Sequence, residues 1–395
     1  MFSKEIIINA TALGTRMNGI GIYLLALLKE LTTIKTDIRF IIYANKNARA
    51  HIKDLRFPPS TIIKWSPRFI APDYGFVGHL LRLLYANYLS LRHPRSYCFN
   101  GSQLEAMFFR KKQIVTVHDI IPLLVPRSHT RQYWYFKYML PHALYRAAAI
   151  ITPSSHTKTN LMDTYGLNGS KIHVMYHGIE HAVDRISRKN TSESGQYLLF
   201  VGRTSAHKNL EGVLRGFERL RGVLPHKLVV VGVDGGRTMR SSGIQLDDVH
   251  FKGYVSEEEK IKLYRNAAML VFPSHHEGFG LPPLEAMVNS CPVVASMGTS
   301  CIQEICGDAA YYVDPFDIDS LAEGMYRVAT DEALRALLIQ SGLQRARMFS
   351  WRTSAERHVG LFERLLTAED KAASAKNTGA CRDHEIENDM PSGPF

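Results

Sequence analysis

The sequence predicts an α/β protein made of two doubly wound, Rossmann-like domains facing across a cleft, and three observations predict it. Its 395 residues suit two domains of about 100–200 residues each. Short, near-continuous apolar runs alternate with helical stretches, the pattern of parallel strands covered on both faces. These runs fall into two series with one polar stretch between them, which makes two sheets.

The first series is EIIIN at 5–9, RFIIYA at 39–44, QIVTVHD at 113–119, AIITPS at 149–154 and IHVMYHG at 172–178. A glycine-bearing loop and an amphipathic helix follow the first run, over 11–31. GFVGHLLRLLYANYLSLRH at 75–93 and RSHTRQYWYFKYMLPHALYR at 127–146 read as helices rich in Leu and aromatics and edged by Arg, Lys and His. The aperiodic DRISRKNTSESGQ at 184–196 is the expected linker, so the first domain is expected over 1–183. The second series is YLLFVGR at 197–203, KLVVVG at 227–232, VHFKG at 249–253, MLVFPS at 269–274, PVVAS at 292–296 and AYYVD at 310–314, giving a second domain over 197–350. A helix at 351–366 is expected to pack back toward the first domain. The remainder, 367–395, is rich in small and polar residues and is expected to be a disordered tail.

Hydrophobic residues at 45% and charged residues at 22% exclude wholesale disorder and a coiled-coil rod. The net charge of +11 is uneven. Residues 1–180 carry 23 Lys/Arg against 9 Asp/Glu, a net of +14, whereas residues 181–395 carry 25 against 28, a net of −3. Such asymmetry points to a polyanionic partner for the first half. The start has no export-type apolar segment, and no apolar run approaches the roughly 18 residues that span a bilayer. Five scattered cysteines suggest reduced thiols, so a cytoplasmic location is expected, with peripheral contact on the inner face of the membrane.

In open parallel sheets ligands bind beyond the carboxyl ends of the strands, and with two such domains the cleft between them is the expected active site. Gly14, Gly19 and Gly21 precede the first helix, either as a backbone cradle for phosphate or as a flexible turn. A dinucleotide fingerprint fails there, because Leu24 stands at the third glycine. Arg203 and Lys208 leave the first strand of the second domain five residues apart, before a helix expected near Asn209. Two cations beside a helix N-terminus suit a diphosphate, with solvated loop charges as the alternative. The most informative stretch is PSHHEGFGLPPLEAMVNSCPVVAS at 273–296. The N–H groups of Phe279, Gly280 and Leu281 at a helix start suit phosphate, and the flanking Glu277 and Glu285 suit vicinal hydroxyls, which together describe a sugar nucleotide.

The spacing Glu277-x7-Glu285 around GFGLPPLEAM resembles that of the retaining GT-B glycosyltransferases of family 4. VHD at 117–119, ITPS at 151–154, YHGI at 176–179 and GR-x4-K at 202–208 extend the resemblance over about 1–366. LPPLEAM and TVHDIIPLLVP look most like bacterial mannosyltransferases of O-antigen or related polysaccharide assembly, which implies GDP-mannose as donor and a glycan or lipid-diphosphate-linked glycan as acceptor. By resemblance, Arg203 and Lys208 hold the donor diphosphate, Glu277 contacts the sugar near the reacting centre and Glu285 binds the ribose hydroxyls. His118 would face the sugar across the cleft, and Gly19 and Gly21 would belong to the loop that closes on the phosphates, although N-G-I-G stands here in place of a double glycine. The resemblance also implies a short-lived oxocarbenium-like ion pair with front-face attack, so no side-chain nucleophile is assigned. Arg203 and Lys208 would then act mostly in the transition state, where negative charge builds on the diphosphate.

No metal or other cofactor is expected. Asp317-Ile-Asp319 spells D-x-D, but Asp319 reads as a helix N-cap. Cys301 and Cys306, with His275 and His276, lack a zinc spacing and read as buried thiols and neighbours. The basic helices at 75–93 and 127–146 either contact an anionic membrane surface or simply pack Leu80, Leu81, Leu84, Trp134 and Tyr138 onto the sheet. No nucleic-acid-binding module is recognisable, so nucleic acid is not an expected partner. A family 4 transferase using a UDP-sugar, a GT-B epimerase or phosphorylase, and a non-catalytic sugar-nucleotide binder are the alternative functions.

Overall fold

A computed structural model describes residues 4–15, 17–180, 195–233 and 247–385, with 372–385 described by backbone alone. Two parallel sheets form the α/β framework. The first has strands β1 (Glu5–Ala10), β2 (Arg39–Asn45), β3 (Ile62–Ser66), β4 (Tyr97–Asn100), β5 (Gln113–Thr116), β6 (Ala149–Thr152) and β7 (Ile172–Val174), in the order β3-β2-β1-β4-β5-β6-β7. The second has β8 (Tyr197–Val201), β9 (Lys227–Val231), β10 (Val249–Gly253), β11 (Met269–Phe272), β12 (Val293–Ser296) and β13 (Tyr311–Val313), in the order β10-β9-β8-β11-β12-β13.

The central strands explain the parallel arrangement. Ile6, Ile7 and Ile8 of β1 are fully buried, because helices cover both faces of the sheet. Ile7 lies opposite Ile41 on one side and Cys98 on the other. Strand order reverses between β1 and β4 and again between β8 and β11, so each sheet opens a crevice at the carboxyl ends of those strands.

Two strands were not signalled by apolar runs. β3 carries Lys64 in a half-buried edge strand. β4 is four residues long and ends on buried Asn100, whose Oδ1 accepts from Asn9 Nδ2 at 3.0 Å.

The C-terminal helix, Trp351–Glu385, buries Trp351, Ala355, Val359, Phe362 and Leu366 against the first domain's core beside Tyr23, Leu24 and Leu27. Those positions recur every three or four residues, one face of a helix. His358 Nε2 lies 2.7 Å from Tyr23 Oη, and Glu369 pairs with Lys112. The disorder expected from 367 is therefore corrected over 367–385. Few large apolar residues lie there, but Ala368, Ala372, Ala373 and Ala375 are strong helix formers and continue the helix. Residues 386–395 lie outside the described residues, as does the expected linker apart from Gly195 and Gln196.

The Gly75–Arg92 helix packs Leu83, Ala86 and Leu89 into the core and exposes a second apolar face. It buries Arg82, whose Nε meets Glu105 Oε1 at 3.0 Å, and turns Leu80, Leu84 and Leu91 outward, the last two 60% and 80% exposed. Trp134 and Tyr138 of the 130–146 helical segment are also exposed and stack at 5.5 Å. Packing onto the sheet is thus overturned for Leu80, Leu84, Trp134 and Tyr138, while Leu81 is half-buried.

Candidate active site

Loops leaving β1, β5, β8 and β11 converge on a cleft of about 590 Å³ between the two sheets. Gly19, His118, Arg203, Lys208, Glu277, Phe279, Gly280, Leu281 and Glu285 all line it. Gly21 does not. The helix Gly19–Leu31 already contains Gly21, and Asn18 caps that helix by accepting the Gly21 N–H at 2.9 Å. The expectation of a phosphate loop reaching to Gly21 is corrected accordingly: the amide is occupied inside a helix, and Asn18 and Gly19 are the residues at the cleft.

Lys208 ends a short 3₁₀ turn, Ala206–Lys208, and Asn209 then caps the Leu210–Arg219 helix from a left-handed conformation with φ of 56°. The turn aims Lys208 into the cleft, where its Nζ meets Glu277 Oε1 at 2.5 Å. Arg203 is exposed and makes no ion pair among the described residues. The Leu281–Val288 helix starts on Gly280 with φ of 95°, has prolines in its first turn and has no side-chain cap. Pro282 and Pro283 carry no N–H, so what this helix start offers an anion is the amide of Leu281 with those of Gly280 and Phe279 just before it.

Glu285 is braced by its neighbours. Oε1 accepts from Lys260 Nζ and Oε2 from the Tyr264 hydroxyl, both at 2.9 Å. Burial alone would lower the Lys260 ammonium, but Glu285 and Glu257 outweigh it and hold the group above its ordinary value.

Across the cleft, burial pushes His118 down to about 4. Its Nε2 donates to the Gly101 carbonyl at 2.9 Å, which leaves Nδ1 as the acceptor of a neutral ring. Asp119 is half-buried beside it, its carboxyl raised by desolvation and by the nearby Glu277 charge, while Oδ1 accepts from the Ile121 N–H at 2.9 Å. Gly278 joins the two walls. A Cβ there would lie 1.9 Å from the His118 carbonyl oxygen, so only glycine permits this approach.

Asp119, His177, Lys260 and Gly278 also line the cleft and had been given no role. Asp119, His177 and Gly278 lie within VHD, YHGI and GFGLPPLEAM, and those motifs were the signal for them. His177 is buried between Tyr23 and Phe279, with ring centroids 4.8 Å from each. Lys260 carried no local signal. At the D-x-D sequence, Asp317 and not Asp319 is the cap, accepting the Asp319 N–H at 2.9 Å, because the helix begins at Ile318. Cys301 and Cys306 are buried, and the Cys301 thiol donates to the Glu277 carbonyl at 3.3 Å.

Two parallel-sheet domains with a cation–carboxylate cleft at their switch points define a GT-B protein. The model "Glycosyltransferase Family 4" matches residues 17–183, and "Glycosyl transferases group 1" matches residues 183–345. The chain belongs to this glycosyltransferase family and is a hexosyltransferase by class. It is similar to O-antigen chain mannosyltransferase B of Escherichia coli, with 26% identity over 70% of this chain and 76% of that protein. Similarity to O-antigen chain mannosyltransferase RfbU of Salmonella typhimurium is 32% over 52% of this chain and 58% of that one. Among solved structures, sucrose-phosphate synthase from Thermosynechococcus elongatus superposes with a TM-score of 0.71 at 18% identity, covering 92% of this chain and 99% of that one, a likeness of fold.

Proposed function

We propose that the cleft binds GDP-mannose and transfers mannose, with retention of anomeric configuration, to a glycan or lipid-diphosphate-linked glycan in O-antigen-type polysaccharide synthesis. The observation that carries this reading is the Lys208–Glu277 pair beside Arg203 and an uncapped helix start. Lys208 and Arg203 neutralise the diphosphate as the glycosyl–phosphate bond breaks, and the open amides near Gly280 and Leu281 add to the same field. Glu277 accepts from hydroxyls of the sugar, and Glu285, fixed by Lys260 and Tyr264, accepts from the ribose. His118 receives a sugar hydroxyl at Nδ1. The departing phosphate takes the acceptor's proton, so no nucleophilic side chain is used. The similarity to O-antigen chain mannosyltransferases supports the mannosyl donor.

Thermal-shift measurements with GDP-mannose, UDP-sugars and ADP-sugars test the donor, since a ligand of the native state raises its stability by RT ln(1 + [L]/Kd). GDP-mannose is expected to stabilise the protein most. Stabilisation by UDP-glucose, UDP-galactose or UDP-N-acetylglucosamine alone would overturn the mannosyl assignment.

The acceptor side is proposed to rest on an anionic membrane surface. Leu80, Leu84, Leu91, Trp134 and Tyr138 are exposed, and Arg131 lies 5.1 Å over the Phe76 ring, linking the two helical segments. Exposed Leu and aromatic side chains on the +14 half suit insertion at an interface. Among the described residues no helix is long and apolar enough to cross a membrane.

A further inference from the structure

A carboxylate outside the cleft ties the two domains together. Glu304 stands on the short helix Ile302–Cys306 of the second domain. Its Oε1 accepts the Ser155 N–H at 2.7 Å and the Tyr176 hydroxyl at 2.9 Å, and its Oε2 accepts the His156 N–H at 3.0 Å. Ser155 and His156 open the helix Ser155–Tyr165 of the first domain, whose first amides have no partner within the helix. A carboxylate at that positive end makes short, charge-assisted bonds. Here it comes from the other domain, so these bonds exist only when the domains are together.

The same turn holds the Glu277 loop. Ser154 Oγ donates to the Gly278 carbonyl at 2.7 Å and Thr157 Oγ1 to the same oxygen at 3.3 Å. The Glu304 helix also lies beneath that loop. Cys301 Sγ donates to the Glu277 carbonyl at 3.3 Å, and Ile302 Cδ1 would sit 2.6 Å from a Cβ at Gly280. One turn of the first domain therefore grips both Glu304 and Gly278, with the His118 carbonyl against Gly278.

We propose that Glu304 is a positioning residue: by capping the Ser155–Tyr165 helix across the domain boundary, it closes the cleft and holds the Glu277–Gly280 loop in register with His118. The kinetic part of this inference rests on the transferase reading. The geometric part does not. Donor groups cluster on the second domain, so loss of closure leaves donor binding nearly intact and reduces the chemical step, which needs both walls.

Full-chain Glu304→Ala is the test, with Tyr176→Phe as a milder variant that removes one of the three contacts. Small-angle scattering of the protein alone is expected to give a larger radius of gyration for Glu304→Ala than for wild type. With GDP-mannose as the probe, kcat is expected to fall about tenfold with the donor KM within about twofold, and Tyr176→Phe to lose about threefold in kcat. Glu304→Gln, which can still accept one amide, is expected to recover part of the rate. Wild-type scattering with kcat within twofold in a folded Glu304→Ala protein would overturn the proposal, as would a loss carried wholly in KM. If Glu304→Ala fails to fold, an unchanged kcat in Tyr176→Phe overturns it. Scattering needs no substrate, so failure of the donor assignment would remain distinguishable from failure of this inference.

Discussion

Lys208 Nζ lies 2.5 Å from Glu277 Oε1, and the two side chains are only 17% and 10% exposed. The residue proposed to hold the departing diphosphate and the one proposed to touch the sugar are therefore a single ion pair. Removing either member leaves a largely buried charge without its partner. Lys208→Met is expected to lower stability by about 2 kcal/mol or more and kcat by about 10²–10³-fold. In the double variant Lys208→Met/Glu277→Gln, stability should recover while activity does not. Urea unfolding and steady-state kinetics on the three proteins check this, and a double variant less stable than Lys208→Met would contradict it.

Gly278 makes a second prediction, because its side of the cleft has no room. A methyl group there would meet the His118 carbonyl oxygen at 1.9 Å, which is backbone and cannot swing aside. Gly278→Ala should force the walls apart and reduce kcat/KM by about 10²-fold, as a misplacement of about 1 Å does. Far-UV circular dichroism should be unchanged, since the residue lies in a loop. A variant with wild-type kinetics would show that the approach is not needed for turnover.

Burial also sets an acid limit. His118 and His358 are held down to about 4 from the ordinary 6.5, chiefly by desolvation. Between those values the unfolded chain binds protons that the native state does not, so stability falls as pH drops from about 6.5 to about 4, by up to about 1.4 kcal/mol per unit for each group. The urea midpoint measured at several pH values should fall across that window. His358→Gln should make the slope shallower, and an unchanged slope would remove His358 from the explanation.

The basic helices predict a separable membrane contact. Leu80→Glu/Leu84→Glu places charge on two exposed positions of the Gly75–Arg92 helix, away from the cleft. Binding to vesicles containing anionic lipid at low salt should be lost, whereas the donor-induced thermal shift should match wild type. Equal vesicle binding by both proteins would exclude this face as the contact.

Much of this arrangement was legible in the sequence because strand ends and their loops are contiguous. VGR followed by Lys208, and the stretch from Glu277 to Glu285, each lie within one loop and one helix start, so spacing reports chemistry directly. Relations between distant segments were not legible. Lys260 meets Glu285 across 25 residues of sequence, and Glu304 reaches Ser155 across 149, through packing that no local pattern encodes. The Gly75–Arg92 helix was ambiguous for a related reason. It has more leucines than one face can bury: Leu83 and Leu89 go inside beside the Arg82–Glu105 pair, and Leu80, Leu84 and Leu91 stay outside. Gly21 lies inside a helix that already begins at Gly19, and its N–H donates to the Asn18 cap, a local contact that the glycine spacing did not report.

The proposed reaction of the Lys208–Glu277 cleft is transfer of mannose from GDP-mannose with retention. The most direct measurement follows labelled mannose from GDP-mannose to extracted lipid-linked glycan, with the anomeric configuration of the product read by NMR and Lys208→Met run in parallel. The account predicts an α-linked product from wild type and a rate lower by about 10²–10³-fold from the variant. A β-linked product, transfer from a UDP-sugar with GDP-mannose inert, or an undiminished rate in Lys208→Met would contradict it.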